Sequence, residues 1–257
     1  MQTHHKVSMA QLALITGAAV RIGRAIALHL ARSGFSIAIQ YRSSQAEAEA
    51  TVAAIQALGV QCACFQAGLS EHAKVEALLP AINSSLGRVT CLINNASYFA
   101  HDRIETLTEE SWNAHMAINL KAPVFLAQAF AAQLPAGEAG NIINIIDQRV
   151  LRPNPLFFSY TLSKSALWAA TRTMAQGLAP RIRVNAIAPG PALPSVYQSA
   201  EDFEQERSST LLGYGTTPEE IANAVAFILN SPAMTGQMIA LDGGQHLLWQ
   251  TPDIRVT

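Results

Sequence analysis

The sequence predicts one α/β domain: a single doubly wound sheet of seven mainly parallel strands, with helices on both faces. Three observations carry this. Short β-rich runs alternate with longer amphipathic stretches along the chain, the pattern of strand–helix–strand crossovers. Half of the residues are hydrophobic and only 14% are charged, which suits strands covered on both sides. At 257 residues the chain is long enough for one sizeable core and short for two. Residues 1–257 are therefore read as one domain, in which 189–216 and 245–257 stand apart as a lid loop and a C-terminal tail.

The strands are read in order as "QLALIT" (11–16), "FSIAIQY" (35–41), "VQCACFQA" (60–67), "VTCLINN" (89–95), "NIINII" (141–146), "RIRVNAIAP" (181–189) and "QMIALDGG" (237–244). Helical stretches lie between them near 22–33, 45–58, 71–86, 108–134, 158–179 and 217–230. The least regular region is 189–216, which opens "PGPALP" and carries the acidic segment "AEDFEQER". A loop of this length in a compact domain is usually functional or disordered; it is read as a lid at the carboxyl ends of the strands, against the alternative of a plain surface loop.

Composition excludes several classes. Net charge is −1, with no long run of one sign, so neither a nucleic-acid footprint nor a basic membrane-binding face is expected. No stretch reaches the roughly 18 consecutive apolar residues of a membrane span, and no apolar leader precedes the first strand; the expected location is the cytoplasm. Three cysteines, Cys62, Cys64 and Cys91, argue for a reducing compartment rather than a disulfide framework. Cys62 and Cys64 lie two apart in a strand and are read as packing residues; no metal site is expected. His4 and His5 are read as solvated parts of a mobile tail.

The first strand runs into "TGAAVRIG", with Gly17 and Gly23 bracketing a strand-to-helix turn. Glycine permits the bend and lets backbone N–H groups approach a pyrophosphate, which the helix N-terminus then favours. Arg21 stands where the middle glycine of such turns usually lies, placed to reach phosphate or substrate. At the end of the second strand, "IAIQYRSSQ" has no acid before Glu47; Arg42, Ser43 and Ser44 follow instead. An acid there would accept from the ribose 2′-OH, whereas a guanidinium and two hydroxyls suit a 2′-phosphate, so NADPH is expected over NADH.

Downstream, "INIIDQRVLRPNPLFFSYTLSK" places Asp147 at the end of a strand, with Tyr160 and Lys164 four apart on one helix face. Together with "TGAAVRIG", "NNAS" (94–97), Asn119 and "PGP" (189–191), in this order and on these elements, the chain resembles the short-chain dehydrogenase/reductase family over nearly its whole length. The resemblance implies a Rossmann-like fold with Tyr160 as proton donor. Lys164 would hold the nicotinamide ribose and lower the tyrosine pKa. Asn119 would open its helix and hold a water linked to the lysine. Asn94 and Asn95 would fix the turn beside the cofactor. Ile22, Tyr41, Leu69, Asn95, Ala96, Ser97, Pro189 and Gly190 would join Gly17, Arg21, Gly23, Arg42, Ser43, Ser44 and Lys164 around the dinucleotide. Gly68 replaces the Asp that usually accepts from the adenine amino group, leaving that contact to backbone.

Asp147 departs from the family, which mostly has serine here. An ionised carboxylate only accepts hydrogen bonds. It would repel a developing alkoxide and would raise the pKa of a neighbouring tyrosine. A C=N bond in a nitrogen heterocycle, whose N–H groups can donate, fits better than a carbonyl; a protonated Asp147 would weaken this. Arg21, Ser97, Phe99 and Asp147 with Tyr160 look like the pteridine reductase branch, including the bacterial dihydromonapterin and dihydrofolate reductases of this fold. The resemblance implies a pterin stacked between nicotinamide and Phe99, with Tyr98 the rival platform. Ser97 and Arg21 would hold its polar edge, and Leu193 would line the pocket. The expected reaction is NADPH-dependent reduction of a dihydropterin or dihydrofolate to its tetrahydro form.

The resemblance further implies a homotetramer built on 108–134 and 158–179. The tail with Trp249 either lines a substrate pocket, its own or a neighbour's, or packs as an ordinary terminus. Two rivals stay open: an NADPH-dependent reductase of 3-oxoacyl thioesters, and a non-catalytic NADP(H)-sensing module.

Overall fold

The computed structural model describes residues 11–250. His4, His5 and the end of the tail lie outside them. All seven expected strands form, in one parallel sheet: β1 (Leu12–Thr16), β2 (Ser36–Tyr41), β3 (Cys62–Gln66), β4 (Cys91–Asn94), β5 (Gly140–Ile145), β6 (Ile182–Pro189) and β7 (Met238–Leu241). Their order is 3-2-1-4-5-6-7. The chain reverses its winding direction between β1 and β4, and sheets of this kind bind ligands beyond the carboxyl ends of the strands at such a point.

The helices are α1 (Arg21–Arg32), α2 (Gln45–Gln56), α3 (His72–Leu86), α4 (Glu109–Met116), α5 (Ala122–Gln133), α6 (Phe158–Leu178), α7 (Ala200–Ser208) and α8 (Pro218–Leu229). Strand alternation splits the core in two. Ala13 and Ile15 of β1 face Ile26 and Leu30 of α1, Ile55 of α2 and Val225 of α8. Leu12 and Leu14 face Leu79 of α3, Leu126 and Phe130 of α5 and Ala175 of α6. All are buried, so both faces of the sheet are covered, as the low charge content required.

The expected helix at 108–134 opens at Asn119, as the resemblance implied, in a π-helical turn over Ala117–Lys121. Pro123, four residues after Asn119, has no N–H to return to the Asn119 carbonyl, and the ladder widens there. Region 189–216 is not a plain loop. Ser199 and Asp202 form a reciprocal capping box that starts α7.

Candidate active site

A cavity of about 920 Å³ opens at the carboxyl ends of β1, β2, β4, β5 and β6. Its first half is built on the β1–α1 turn. Gly17 has φ +65°, and a Cβ there would lie 3.0 Å from the Cα of Ala96. A Cβ on Gly23 would meet the Gly17 carbonyl at 2.5 Å and Asn95 Nδ2 at 2.6 Å, so strand, turn and helix close only around glycine. Asn95 Nδ2 donates to Thr16 O at 2.9 Å and to Gly17 O at 3.3 Å, fixing the turn as expected. Asn94 instead donates to Asn144 at 2.8 Å inside the sheet, because β4 points its side chain inward.

The donors at the start of α1 are open to an anion. Val20 offers no side-chain cap and the first turn holds no acid. By contrast, α4, α7 and α8 all have capping side chains and acidic first turns. Arg21 is the one described non-glycine residue with positive φ, at 56°, the conformation that the missing glycine would take without strain. Its guanidinium donates to Pro194 O at 3.0 Å and Leu193 O at 3.5 Å. Arg21 thus reaches across to the backbone of the segment after β6, whose carbonyls are the acceptors within range.

The other residues singled out around the dinucleotide also line this cavity. Ile22 and Gly23 come from α1, and Tyr41, Arg42, Ser43 and Ser44 from the end of β2. Leu69, Asn95, Ala96, Ser97, Pro189 and Gly190 complete that half, and Leu193, expected at the substrate, also lines the cavity. A Cβ on Gly68 would stand 2.7 Å from Glu71 Oε1, which accepts from Lys74 Nζ at 2.8 Å; neither Gly68 nor Glu71 lines the cavity. The set fits a dinucleotide bearing a 2′-phosphate: uncapped helix donors, a cradle that a Cβ would fill, and a guanidinium beside hydroxyls.

The second half of the cavity holds the reactive groups. Tyr160 OH donates to Asp147 Oδ2 at 2.9 Å. Burial and then the Asp147 charge push the phenol well above its ordinary pKa. The expected lowering by Lys164 is not seen: Lys164 Nζ donates to Ile145 O at 2.9 Å and lies 5.8 Å from the Tyr160 ring centroid, too far to outweigh burial. Burial holds the Lys164 amine down to about 8, with Asp147 opposing.

Arg149 is the main residue the sequence reading missed. Its Nη1 lies 3.2 Å from Asp147 Oδ2 and 3.3 Å from Oδ1, and its N–H donates to Oδ1 at 2.8 Å. Burial works against the guanidinium charge, but Asp147, Tyr160 and Glu206 together outweigh it and raise the Arg149 pKa. The guanidinium carbon lies 4.8 Å from the Phe157 ring centroid and 5.6 Å from that of Phe99. Arg149 follows Asp147 by two in "IIDQRV", a spacing that does not by itself bring the two side chains together.

Phe99 forms part of the wall. Phe157 stacks on it at 4.5 Å and 18°, and Tyr160 meets it edge-on at 4.8 Å. Tyr98 packs its ring on His115 at 4.7 Å. Asn119 is fully buried and does not line the cavity. Its amide accepts from Tyr98 N at 2.8 Å and donates to Tyr98 O at 2.9 Å and Ser163 Oγ at 3.1 Å. The side chain clamps the loop after β4 instead of turning toward Lys164.

Residues 191–193 and 195–198, with Asp202 and Glu206 of α7, make the outer wall. Among the described residues of the tail, none lines the cavity; Gln245 reaches the rim, donating to Glu206 Oε1 at 3.3 Å. No described helix is long and apolar enough to cross a membrane, and no group of His, Cys, Asp or Glu among the described residues is arranged to hold a metal ion.

Residues 11–205 match the family model described as short chain dehydrogenase. The chain belongs to that family. Among solved short-chain dehydrogenase structures, FolM alternative dihydrofolate reductase 1 from Brucella suis, in complex with NADP, is 48% identical, with a TM-score of 0.92 over 95% of this chain and 98% of that one. The Brucella canis protein of the same name, also complexed with NADP, is 47% identical, with a TM-score of 0.89 over 95% and 97%. A curated relative, 3-oxoacyl-[acyl-carrier-protein] reductase FabG of Staphylococcus aureus, is 33% identical across 94% of this chain and all of its own length. The short-chain dehydrogenase fold and its oxidoreductase class are thereby established for this sequence.

Proposed function

We propose that this oxidoreductase uses NADPH to reduce pterins, taking a dihydropterin or dihydrofolate to its tetrahydro form. The observation that carries this is the Asp147 carboxylate, 2.9 Å from the Tyr160 hydroxyl in the wall of the cavity. A carboxylate beside the proton donor opposes the alkoxide of carbonyl reduction and accepts from the N–H groups of a nitrogen heterocycle. The likeness to the NADP-bound Brucella proteins supports the same reading.

Gly17, Ile22, Gly23, Asn95, Ala96, Pro189 and Gly190 would hold the cofactor body, Arg42, Ser43 and Ser44 its 2′-phosphate, and Lys164 its ribose. Bound NADPH would supply the hydride. Phe99 offers a flat apolar wall for the substrate ring, beside Arg21, Ser97 and Leu193. Tyr160 stays protonated because its pKa is raised, and so serves as an acid. Its proton points at Asp147. Reduction of the ring would place negative charge on the nitrogen beside the reduced carbon, while Arg149 offsets the charge of Asp147, so that nitrogen would be the better acceptor of the Tyr160 proton. Asn119 holds Tyr98 and, through it, the loop that carries Phe99.

A second reading, reduction of 3-oxoacyl thioesters, rests on the FabG relative. The two separate in one assay: NADPH oxidation at equal concentrations of a dihydropterin, dihydrofolate and an acetoacetyl thioester. Turnover of the first two and not the third is expected. Thioester turnover alone would overturn the pterin reading, and oxidation with none of them would favour a sensing module.

A further inference from the structure

Helix α6 carries Tyr160 and Lys164, yet its own N-cap residue, Phe157, provides no side-chain acceptor. The acceptor comes from the loop after β4. Asp102 Oδ1 accepts from Ser159 N at 3.0 Å, and Phe158 N donates to Asp102 O at 3.2 Å. Asp102 thus caps the first turn of α6, where a negative charge also meets the positive end of the helix dipole.

The cap is one corner of a closed network. Asp102 Oδ2 accepts from the Ser159 hydroxyl and, at 2.8 Å, from Ser111 Oγ. His115 Nδ1 lies 2.7 Å from Ser159 Oγ and 2.9 Å from Ser111 O, and its Nε2 lies 3.3 Å from Ala100 N. A backbone amide can only donate, so Nε2 is the bare nitrogen and Nδ1 carries the proton. Nδ1–H then points at Ser111 O and Ser159 Oγ, and the serine proton goes to Asp102. Every donor is matched to an acceptor. Asp102, His115 and Ser159 are 5%, 0% and 0% exposed, and none lines the cavity.

The network joins three parts and stands beside a second hydrogen-bonded link, the Asn119 clamp between Tyr98 of the loop and Ser163 of α6. Ala100 follows Phe99 in the loop; Ser111 and His115 lie on α4; Ser159 immediately precedes Tyr160. The His115 ring lies between Tyr98, at 4.7 Å, and Tyr160, at 6.0 Å. We propose that the Asp102–Ser159–His115 cluster is a positioning device that fixes the Tyr160 hydroxyl and the Phe99 ring relative to each other. The three are positioning residues: they touch neither cavity nor reactants and act through the backbones of Ala100 and Ser159. Hydrogen-bonded buried networks of this kind specify one arrangement because each broken link leaves an unpaired polar group.

Only the choice of substrate in the test rests on the pterin reading. Ser159→Ala keeps the backbone cap but cuts the link to His115. It is expected to lower kcat for dihydropterin reduction about tenfold and to raise KM, since small misplacements at a reacting centre are costly. The Kd for NADPH should stay within about twofold, because the cluster lies away from the β1–α1 turn. Hydrogen exchange should quicken at residues 98–101, while the capped amides at 158–160 stay protected. Should Asp102→Ala fail to fold, Asp102→Asn serves in its place, because the amide oxygen still caps Ser159 N but the nitrogen cannot accept from the two hydroxyls. It should keep the 158–160 amides protected while those at 98–101 loosen. Kinetics and exchange equal to the parent's in Ser159→Ala and Asp102→Asn would overturn the proposal. If the parent reduces no dihydropterin, the functional reading fails, and exchange alone still decides whether loop and helix are coupled.

Discussion

The Tyr160 hydroxyl donates to Asp147 Oδ2 at 2.9 Å, while Arg149 closes on the same carboxylate at 3.2 Å. The acid is thus held between a phenol it accepts from and a guanidinium that offsets its charge. This arrangement depends on residue 147 carrying a negative charge, which a serine hydroxyl lacks. Asp147→Ser should lower kcat/KM for dihydropterin about 100-fold, a usual scale for losing one proton-handling group. Fluorescence titration should show NADPH binding little changed. Equal turnover by the variant would remove the basis for a C=N substrate.

Arg149 tests the other side of that relationship. Its side chain and that of Asp147 are 15% and 14% exposed, so the pair is largely shielded from water. Removing one partner of a shielded pair leaves a charge unmatched. Arg149→Met should therefore destabilise the fold by roughly 3 kcal/mol, measured by urea unfolding. It should also reduce turnover, because an unbalanced carboxylate competes harder for the Tyr160 proton. Unchanged stability together with unchanged kcat would show that the contact carries no weight.

Arg42 at the end of β2 sets the coenzyme preference proposed here. It lines the cavity beside Ser43 and Ser44, and no acid follows before Glu47. A charge-assisted hydrogen bond is worth roughly 1.5–3 kcal/mol, or about one to two powers of ten in affinity. Arg42→Ala should weaken NADPH by that factor and leave NADH nearly untouched. Equal weakening of both would assign Arg42 a role outside the 2′-phosphate.

The strands were legible because each is an apolar run bounded by turn residues, and seven such runs in alternation with helices leave few topologies. The cavity was legible where backbone demands glycine, at Gly17 and Gly23, and where chemistry is local, as in Tyr160 and Lys164. Partners that meet through folding were not. Arg149 sits two residues from Asp147, but nothing in that spacing says that its guanidinium folds back on the carboxylate. Asp102 and Ser159 lie 57 residues apart, and their contact exists only once the loop after β4 crosses the start of α6. Helix α7 was hidden differently: its mean hydropathy is low and none of its residues is buried, so its one signal was the Ser199–Asp202 cap.

Lys164 gives the pH dependence. Burial holds its amine at about 8, against 10.5 for a free lysine. The ammonium is therefore present below about 8 and lost as pH rises through that value. The Tyr160 pKa is raised, so the phenol keeps its proton across the same range and adds no alkaline loss. The kcat/KM for NADPH, which reports ionisations of the free enzyme, should bend downward near pH 8. Lys164→Arg carries a charge that does not titrate there, so whatever activity it retains should show no such bend. Stability moves the other way. Between the folded value near 8 and the unfolded 10.5, the unfolded chain binds more protons, so the Lys164 contribution to stability rises with pH across that window. Urea unfolding of the parent and Lys164→Met at pH 7.5 and pH 9.5, both values chosen to flank the folded pKa, should show the parent gaining on the variant at the higher pH. A profile flat to pH 10 with no differential gain would mean that the amine is not held down by burial.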